Sequence, residues 1–166
     1  MTPAKETTEK TELLESCLLL LTTLNNGLED MLGSASKGVI FNTGTKEGQF
    51  IGKKFPQTAS IEKAIDAVNE AYQGVWNVEL FKEKGAESFF YEDEIGRLSA
   101  NVIVRDCPIR QAVLSYDLNQ AGPICYLTNG YLCGMIAEMT GKRVGMEILH
   151  HAPNACKKKL TFREKK

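Results

Sequence analysis

Two different spacings of apolar residues divide the chain into helical and extended segments. From Thr11 to Gly33 leucines recur every three or four residues, a spacing typical of a helix that buries one face. Residues 34–54 form a second candidate helix, and a third begins after Ser60, because serine is favourable at the start of a helix. We therefore predict a helical amino-terminal region, preceded by a disordered tail over the mostly polar residues 1–10.

Beyond Val75 the period of the apolar positions changes from 3.6 to 2, which is typical of strands. Three strands are predicted, at residues 75–82, 86–92 and 98–105. The short turns between them favour an antiparallel meander. The remaining predicted elements are a short helix, a long apolar helix and two strands, at residues 106–118, 124–140, 143–151 and 157–164.

The order of these elements indicates the fold class. Helices and strands are largely segregated along the chain, which favours an α+β fold with helices packed on an antiparallel sheet of about five strands. We expect a single domain over residues 11–166, with amino-terminal helices at 11–54. The apolar stripe of the first helix is too wide for an isolated helix, so we expect it to pack against the domain or against a second copy.

Composition narrows the class of protein. The chain has 166 residues with 20 basic and 21 acidic side chains, for a formal net charge of −1, which removes the electrostatic reason to expect direct nucleic-acid binding. The longest aliphatic run, Leu18–Leu21, is far shorter than the roughly 20 residues of a membrane span. The five cysteines are odd in number and no signal-peptide pattern is visible, so we predict a cytoplasmic protein without membrane contact.

Glycines in the second helix form a stripe. Gly44, Gly48 and Gly52 are four residues apart, and each glycine inside a helix costs about 1 kcal/mol relative to alanine. Such a stripe indicates close approach to the backbone. Tight helix packing is one explanation, and a ligand or dimer contact is the other.

The carboxy-terminal third contains most of the residues that bind soft metals. Cys125 lies on the long apolar helix, while Glu147, His150, His151 and Cys156 lie on or beside the last two strands. Cysteine, histidine and carboxylate side chains that meet in space can form a tetrahedral zinc site. No pair has the spacing of a known zinc motif, so core thiols and ordinary strand-end histidines remain the alternative.

This part of the chain resembles the 4-vinyl reductase domain, also called the hydrocarbon-binding domain. The family ends with a cysteine that opens a helix, two glycines four residues apart, a Gly-Lys/Arg-x-Val turn, and a strand with a glutamate and further metal ligands. The matching residues here are Cys125, Gly130, Gly134, Gly141, Lys142, Arg143, Val144, Glu147 and Cys156. His150 stands in place of the family's first strand-end cysteine.

The resemblance implies a zinc site in the carboxy-terminal part, residues 122–163. In phenol-sensing transcription activators with this domain, the matching positions bind zinc, which implies Cys125, Glu147, His150 and Cys156 as ligands. His151 is the alternative to His150, because the loop before Cys156 is short. The implied fold is that of nitric-oxide sensor domains and vesicle-tethering subunits, with a twisted sheet and a homodimer formed through the amino-terminal helix.

The family also implies a mostly apolar cavity, between helices and sheet, for a small hydrophobic molecule. We expect the glycine stripe and the long helix to flank it. The candidate pocket residues are Phe41, Gly44, Gly48, Tyr126 and Tyr131.

Three other features have two interpretations each. Cys107 precedes Pro108 at a predicted helix start, where a thiol is either reactive or simply a capping residue. Cys133 is either a core thiol or a further metal ligand. The basic run Lys157–Lys159 is either a solvated strand face, which we predict, or a surface that binds phosphate or nucleic acid.

The sequence therefore favours a sensor or carrier domain that binds a small hydrophobic ligand, contains a structural zinc ion and acts as a dimer. A metal- or cofactor-assisted enzyme of the 4-vinyl reductase type is the alternative, although no dinucleotide fingerprint or catalytic triad pattern is visible. An assembly subunit without a ligand is the second alternative, and it rests on fold analogy alone.

Overall fold

The computed structural model describes residues 3–116 and 122–164, with side chains described from residue 16 onward. The helices of this part are α1 (Pro3–Leu32), α2 (Ala35–Gly52), α3 (Ile61–Ala71), α4 (Pro108–Ser115) and α5 (Pro123–Thr140). The strands are β1 (Asn77–Phe81), β2 (Phe90–Glu92), β3 (Leu98–Arg105), β4 (Lys142–His151) and β5 (Cys156–Glu164). None of the helices in this part is long and apolar enough to cross a membrane.

The five strands form one antiparallel sheet in the order β1-β3-β5-β4, with β2 paired to β3. The α+β class and the five-stranded sheet are thus confirmed. The predicted meander is wrong, because β1 and β2 both pair with β3, β1 opposite residues 101–105 and β2 opposite 98–100. Since β2 has only three residues, it leaves the rest of β3 available to β1.

Helices α3 and α5 cover one face of this sheet. The largest fully buried apolar side chains come from both layers, and they include Val68, Val102, Val104, Leu132, Met135, Ile136, Met139 and Leu160. The start of α3 is fixed by its cap, since Ser60 Oγ accepts a hydrogen bond from the Lys63 backbone N–H at 3.2 Å. Helix α1 begins at Pro3, before its predicted start at Thr11 and within the segment predicted as a tail.

A charged cluster fixes the turn between β2 and β3. Asp93 contacts Arg97 at 2.6 Å and Lys159 at 3.3 Å, and its Oδ1 accepts the backbone N–H groups of Ile95 and Arg97. The Arg97 guanidinium, followed by the backbone donors and Lys159, holds the pKa of Asp93 well below its ordinary value of 3.8.

Asp93→Asn is therefore expected to lower the free energy of unfolding near neutral pH. A carboxylate whose pKa is lowered by folding stabilises the protein above its unfolded pKa, and this contribution disappears as the pH falls through the folded pKa. The stability difference between wild type and variant should accordingly shrink below about pH 4. Urea denaturation at several pH values measures it, and a difference that does not change with pH would contradict this assignment.

Candidate functional site

A β-bulge near the end of β4 decides which side chains face the helices. The pairing register with β5 shifts between Ile148 and His150, so His150 lies opposite Lys157 and His151 lies opposite Cys156. Directly opposed residues of an antiparallel pair point to the same face of the sheet. His151 therefore shares a face with Cys156, and the bulge brings the second histidine toward the helices.

Three cysteines and His151 line one small pocket between α4, the start of α5 and the β4–β5 hairpin. The volume of the pocket is about 20 Å³, which is enough for a single water-sized particle. Four of its lining residues have side chains that can bind soft metals, namely Cys107, Cys125, His151 and Cys156. The other lining residues are Arg110, Val113, Thr128 and Ile148. His151 is exposed at the rim, whereas Cys107 is buried with 7% of its surface accessible.

The other two implied zinc ligands lie elsewhere. Glu147 pairs with Lys159 and His150 with Lys157, on the sheet face opposite to that of Cys156, and both side chains are exposed. Of the four ligands that the resemblance implies, the structure brings together Cys125 and Cys156 only. Within the described residues, no three His, Cys, Asp or Glu side chains form a ready-made metal site.

Cys107 and Arg110 enter the pocket from the first turn of α4. Cys107 is the N-cap residue of this helix and Pro108 occupies its first turn, as the sequence indicates. The Arg110 side chain is only 6% exposed, and its Nη1 donates to the Val104 carbonyl oxygen at 3.2 Å. Its Nε has no hydrogen-bond partner within the described part of the chain. The reactive-thiol interpretation of Cys107 stays a prediction.

The glycine stripe packs against α5. A Cβ on Gly44 would lie 2.2 Å from the Leu127 carbonyl oxygen, and one on Gly48 would lie 2.0 Å from that of Tyr131. The contact is reciprocal, because a Cβ on Gly130 would lie 2.0 Å from the Phe41 carbonyl oxygen. Of the predicted pocket residues, Phe41, Gly44, Gly48 and Tyr131 therefore meet in a helix–helix contact, and their role in a ligand pocket stays a prediction.

The aromatic rings of Tyr131, Tyr72 and Trp76 form a cluster beside this contact. The Tyr72 and Tyr131 hydroxyl groups are 2.6 Å apart, and the Trp76 ring centroid lies 5.3 Å from that of Tyr131. Burial, together with the Tyr72 hydroxyl, raises the pKa of Tyr131 well above its ordinary value. The fifth predicted pocket residue, Tyr126, stands apart from this cluster, with the Lys37 ammonium 5.7 Å from its ring centroid.

Lys158 contradicts the prediction of a solvated basic run. It is 4% exposed, and its Nζ donates to Asn129 Oδ1 at 2.5 Å. It shares the helix-facing side of β5 with Cys156 and Leu160, which are two residues away on either side.

Cys133 is fully buried, and its burial raises the pKa of its thiol to about 12 although the Lys158 charge acts in the opposite direction. This environment suits the core interpretation of Cys133.

A second pocket, which we call the α1 groove, lies between α1, α2 and α5. It measures about 80 Å³ and is mostly apolar, with Leu21, Leu24, Leu28, Ile40, Ile124 and Leu127 in its lining. Asn25 adds a polar group to this lining. The Asn25 side chain is 7% exposed, and its Oδ1 accepts no hydrogen bond from the described residues. Sequence analysis did not predict this groove, because one asparagine in a leucine-rich helix does not by itself indicate a binding site.

Comparison with known proteins identifies the type of fold. No protein-family model matches the sequence, and no curated protein matches it. Among solved structures, the chain is similar to the phenol-responsive sensory domain of the transcription activator PoxR, determined with phenol. The TM-score is 0.59 at 16% sequence identity, and the match covers 87% of this chain and 73% of the PoxR chain. The chain therefore shares the fold of the PoxR domain.

Proposed function

We propose that this chain is a sensor or carrier domain of the 4-vinyl reductase, or hydrocarbon-binding, type that binds a small hydrophobic molecule. The observation that carries the proposal is the similarity of fold to a phenol-responsive domain over 87% of the chain. The motif at Cys125–Cys156 supports the same family independently, since it comes from the sequence rather than from the fold.

The α1 groove is the best candidate for the ligand site in the described part of the chain. Its leucine and isoleucine side chains favour an apolar molecule, because apolar clefts bind apolar guests. The buried Asn25 Oδ1 accepts no hydrogen bond from the described residues, and an unsatisfied buried acceptor costs about 1–3 kcal/mol. A ligand with one hydroxyl group would satisfy it, so we expect a phenol-like molecule rather than a pure hydrocarbon.

Phenol is therefore expected to raise the melting temperature, since a ligand at 100 times its Kd adds about 2.7 kcal/mol to the free energy of unfolding. Asn25→Leu should weaken phenol binding roughly tenfold, because it removes one hydrogen bond. Toluene, which has no hydroxyl, should bind the wild type and the variant equally. Isothermal titration with both ligands measures these affinities. Equal phenol affinity for the two proteins would exclude the α1 groove, and failure of every small aromatic tested would favour the assembly-subunit alternative.

The outer surface of α1 supports a dimer. Thr22 and Asn25 face inward and are buried, while Leu20, Leu24 and Met31 point outward with 71%, 63% and 83% of their surfaces exposed. A helix that buries polar groups and exposes a contiguous apolar stripe is typical of an interaction surface. We propose that the apolar stripe of α1 packs against the same stripe of a second copy. Since the α1 groove borders this stripe, the ligand site would lie beside the dimer interface.

The proposed function includes a zinc ion in the carboxy-terminal part. The pocket beside α4 offers thiols and an imidazole, and this donor chemistry fits zinc better than magnesium or calcium. When bound, a zinc ion with four protein ligands supplies a structural cross-link rather than an open catalytic position. Cys125 and Cys156 would hold it between α5 and the β4–β5 hairpin.

A further inference from the structure

We propose that the zinc ligands of this chain are Cys107, Cys125, His151 and Cys156, so that Cys107 and His151 take the places that the resemblance gives to Glu147 and His150. This inference rests on the proposed function, because it assumes that the domain binds zinc. It adds Cys107 to the ligand set, a residue that lies outside the family motif.

The backbone brings these four positions together from three separate parts of the fold. Cys156 pairs with His151 on β4 and with Val104 on β3. Cys107 follows Val104 by three residues, at the point where β3 ends and α4 begins. Cys125 lies in the first turn of α5, whose start meets the same end of the hairpin. All four side chains therefore line one pocket.

The implied alternative requires a much larger change of the backbone. Glu147 and His150 share the outer face of the sheet with Lys159 and Lys157, while Cys156 points to the inner face. Bringing them to Cys156 would need a change of register in β4, because neighbouring positions of a strand alternate between faces. Ile148, which lies between them, already lines the pocket.

Arg110 is a second, independent indication of a negatively charged group at this pocket. It is buried, and its Nε has no hydrogen-bond partner among the described residues. A buried N–H of a charged guanidinium that lacks an acceptor is costly, even though Nη1 of the same group donates to the Val104 carbonyl oxygen. Binding of Zn²⁺ by three thiols and one neutral imidazole releases three protons and leaves a complex of net charge −1. The Nε–H group of Arg110 can then donate to a thiolate sulfur, which compensates both the charge and the unsatisfied donor.

The pocket has room for a single metal ion, but its side chains are not arranged around an ion position. Its volume is about 20 Å³, and the described donors do not yet converge as a ready-made site. We therefore expect zinc to draw the side chains of α4, α5 and the hairpin together, and to raise the melting temperature as it does so.

X-ray absorption spectroscopy of the wild-type zinc-loaded chain distinguishes the two ligand sets. The proposed set predicts three sulfur ligands at about 2.3 Å and one nitrogen at about 2.0 Å, whereas the implied set predicts two sulfur ligands and two lighter ones. This measurement needs no variant. A spectrum with two sulfur ligands overturns the proposal and leaves the zinc part of the proposed function intact.

Matched variants give a second measurement by competition with a zinc chelator. Cys107→Ser and His151→Asn are expected to lower zinc affinity at least about tenfold, while Glu147→Gln and His150→Asn should leave it unchanged. The reverse pattern would overturn the proposal. A wild-type chain that binds no zinc would overturn both this inference and the metal part of the proposed function, and the phenol titration decides the ligand-binding part separately.

Discussion

Gly48→Val is expected to lower the free energy of unfolding by at least about 3 kcal/mol, or to prevent folding. The first atom of any side chain at this position would lie 2.0 Å from the Tyr131 carbonyl oxygen and 2.8 Å from its carbonyl carbon. These atoms belong to the backbone of α5, so a rotamer change cannot relieve the overlap. Helices α2 and α5 would have to move apart, and Gly130 and Gly134 would lose their close contacts with α2.

Gly38→Ala is the matched control on the same helix. No atom lies within 4 Å of a Cβ at Gly38, and alanine is more favourable than glycine within a helix by roughly 0.5–1 kcal/mol. This variant should therefore be slightly more stable than the wild type. Urea denaturation followed by circular dichroism measures both. If Gly48→Val unfolded at the wild-type urea concentration, the close packing of α2 on α5 would be refuted.

The period of four in Gly44, Gly48 and Gly52 predicted close approach to α2 from the sequence, but it could not identify the neighbour. The spacing of the glycines indicates that there is no room for side chains on this face of the helix. It does not distinguish between a ligand and a second helix as the group that fills the space. Gly130 and Gly134 of α5 lie opposite the stripe, and this arrangement is a property of the tertiary structure rather than of the local sequence. The helices and strands themselves followed from local periodicity, and β3 begins and ends where the sequence placed it.

The site was less accessible to sequence reasoning, because it depends on an irregularity. Alternation along β4 groups Glu147 with His151, and the bulge after Ile148 separates them. The residues of β4 contain no pattern that predicts the bulge. The burial of Lys158, in contrast, could have been predicted from the sequence. Lys158 lies two residues from both Cys156 and Leu160, so the period of two that predicted the strand also places this lysine on the buried face.

Replacing Leu20 and Leu24 with glutamate is expected to convert a dimer into a monomer without loss of folding. Both side chains are exposed in the single chain, so a charge there costs little in the monomer. In a dimer that covers the stripe, each buried and unpaired carboxylate would cost several kcal/mol, and every 1.4 kcal/mol weakens association about tenfold. Light scattering coupled to size-exclusion chromatography should show the mass halved relative to the wild type.

Ile95→Glu is the control for this experiment, since Ile95 is also a large apolar residue with 69% of its surface exposed. It lies in the turn between β2 and β3 rather than on α1, so the variant should remain a dimer. A wild-type protein that is monomeric at all concentrations would exclude the proposed interface. If the Leu20/Leu24 double variant stays dimeric, the subunits associate through another surface. A different partner must then cover the apolar stripe of α1, because an exposed apolar surface of this extent is unfavourable in water.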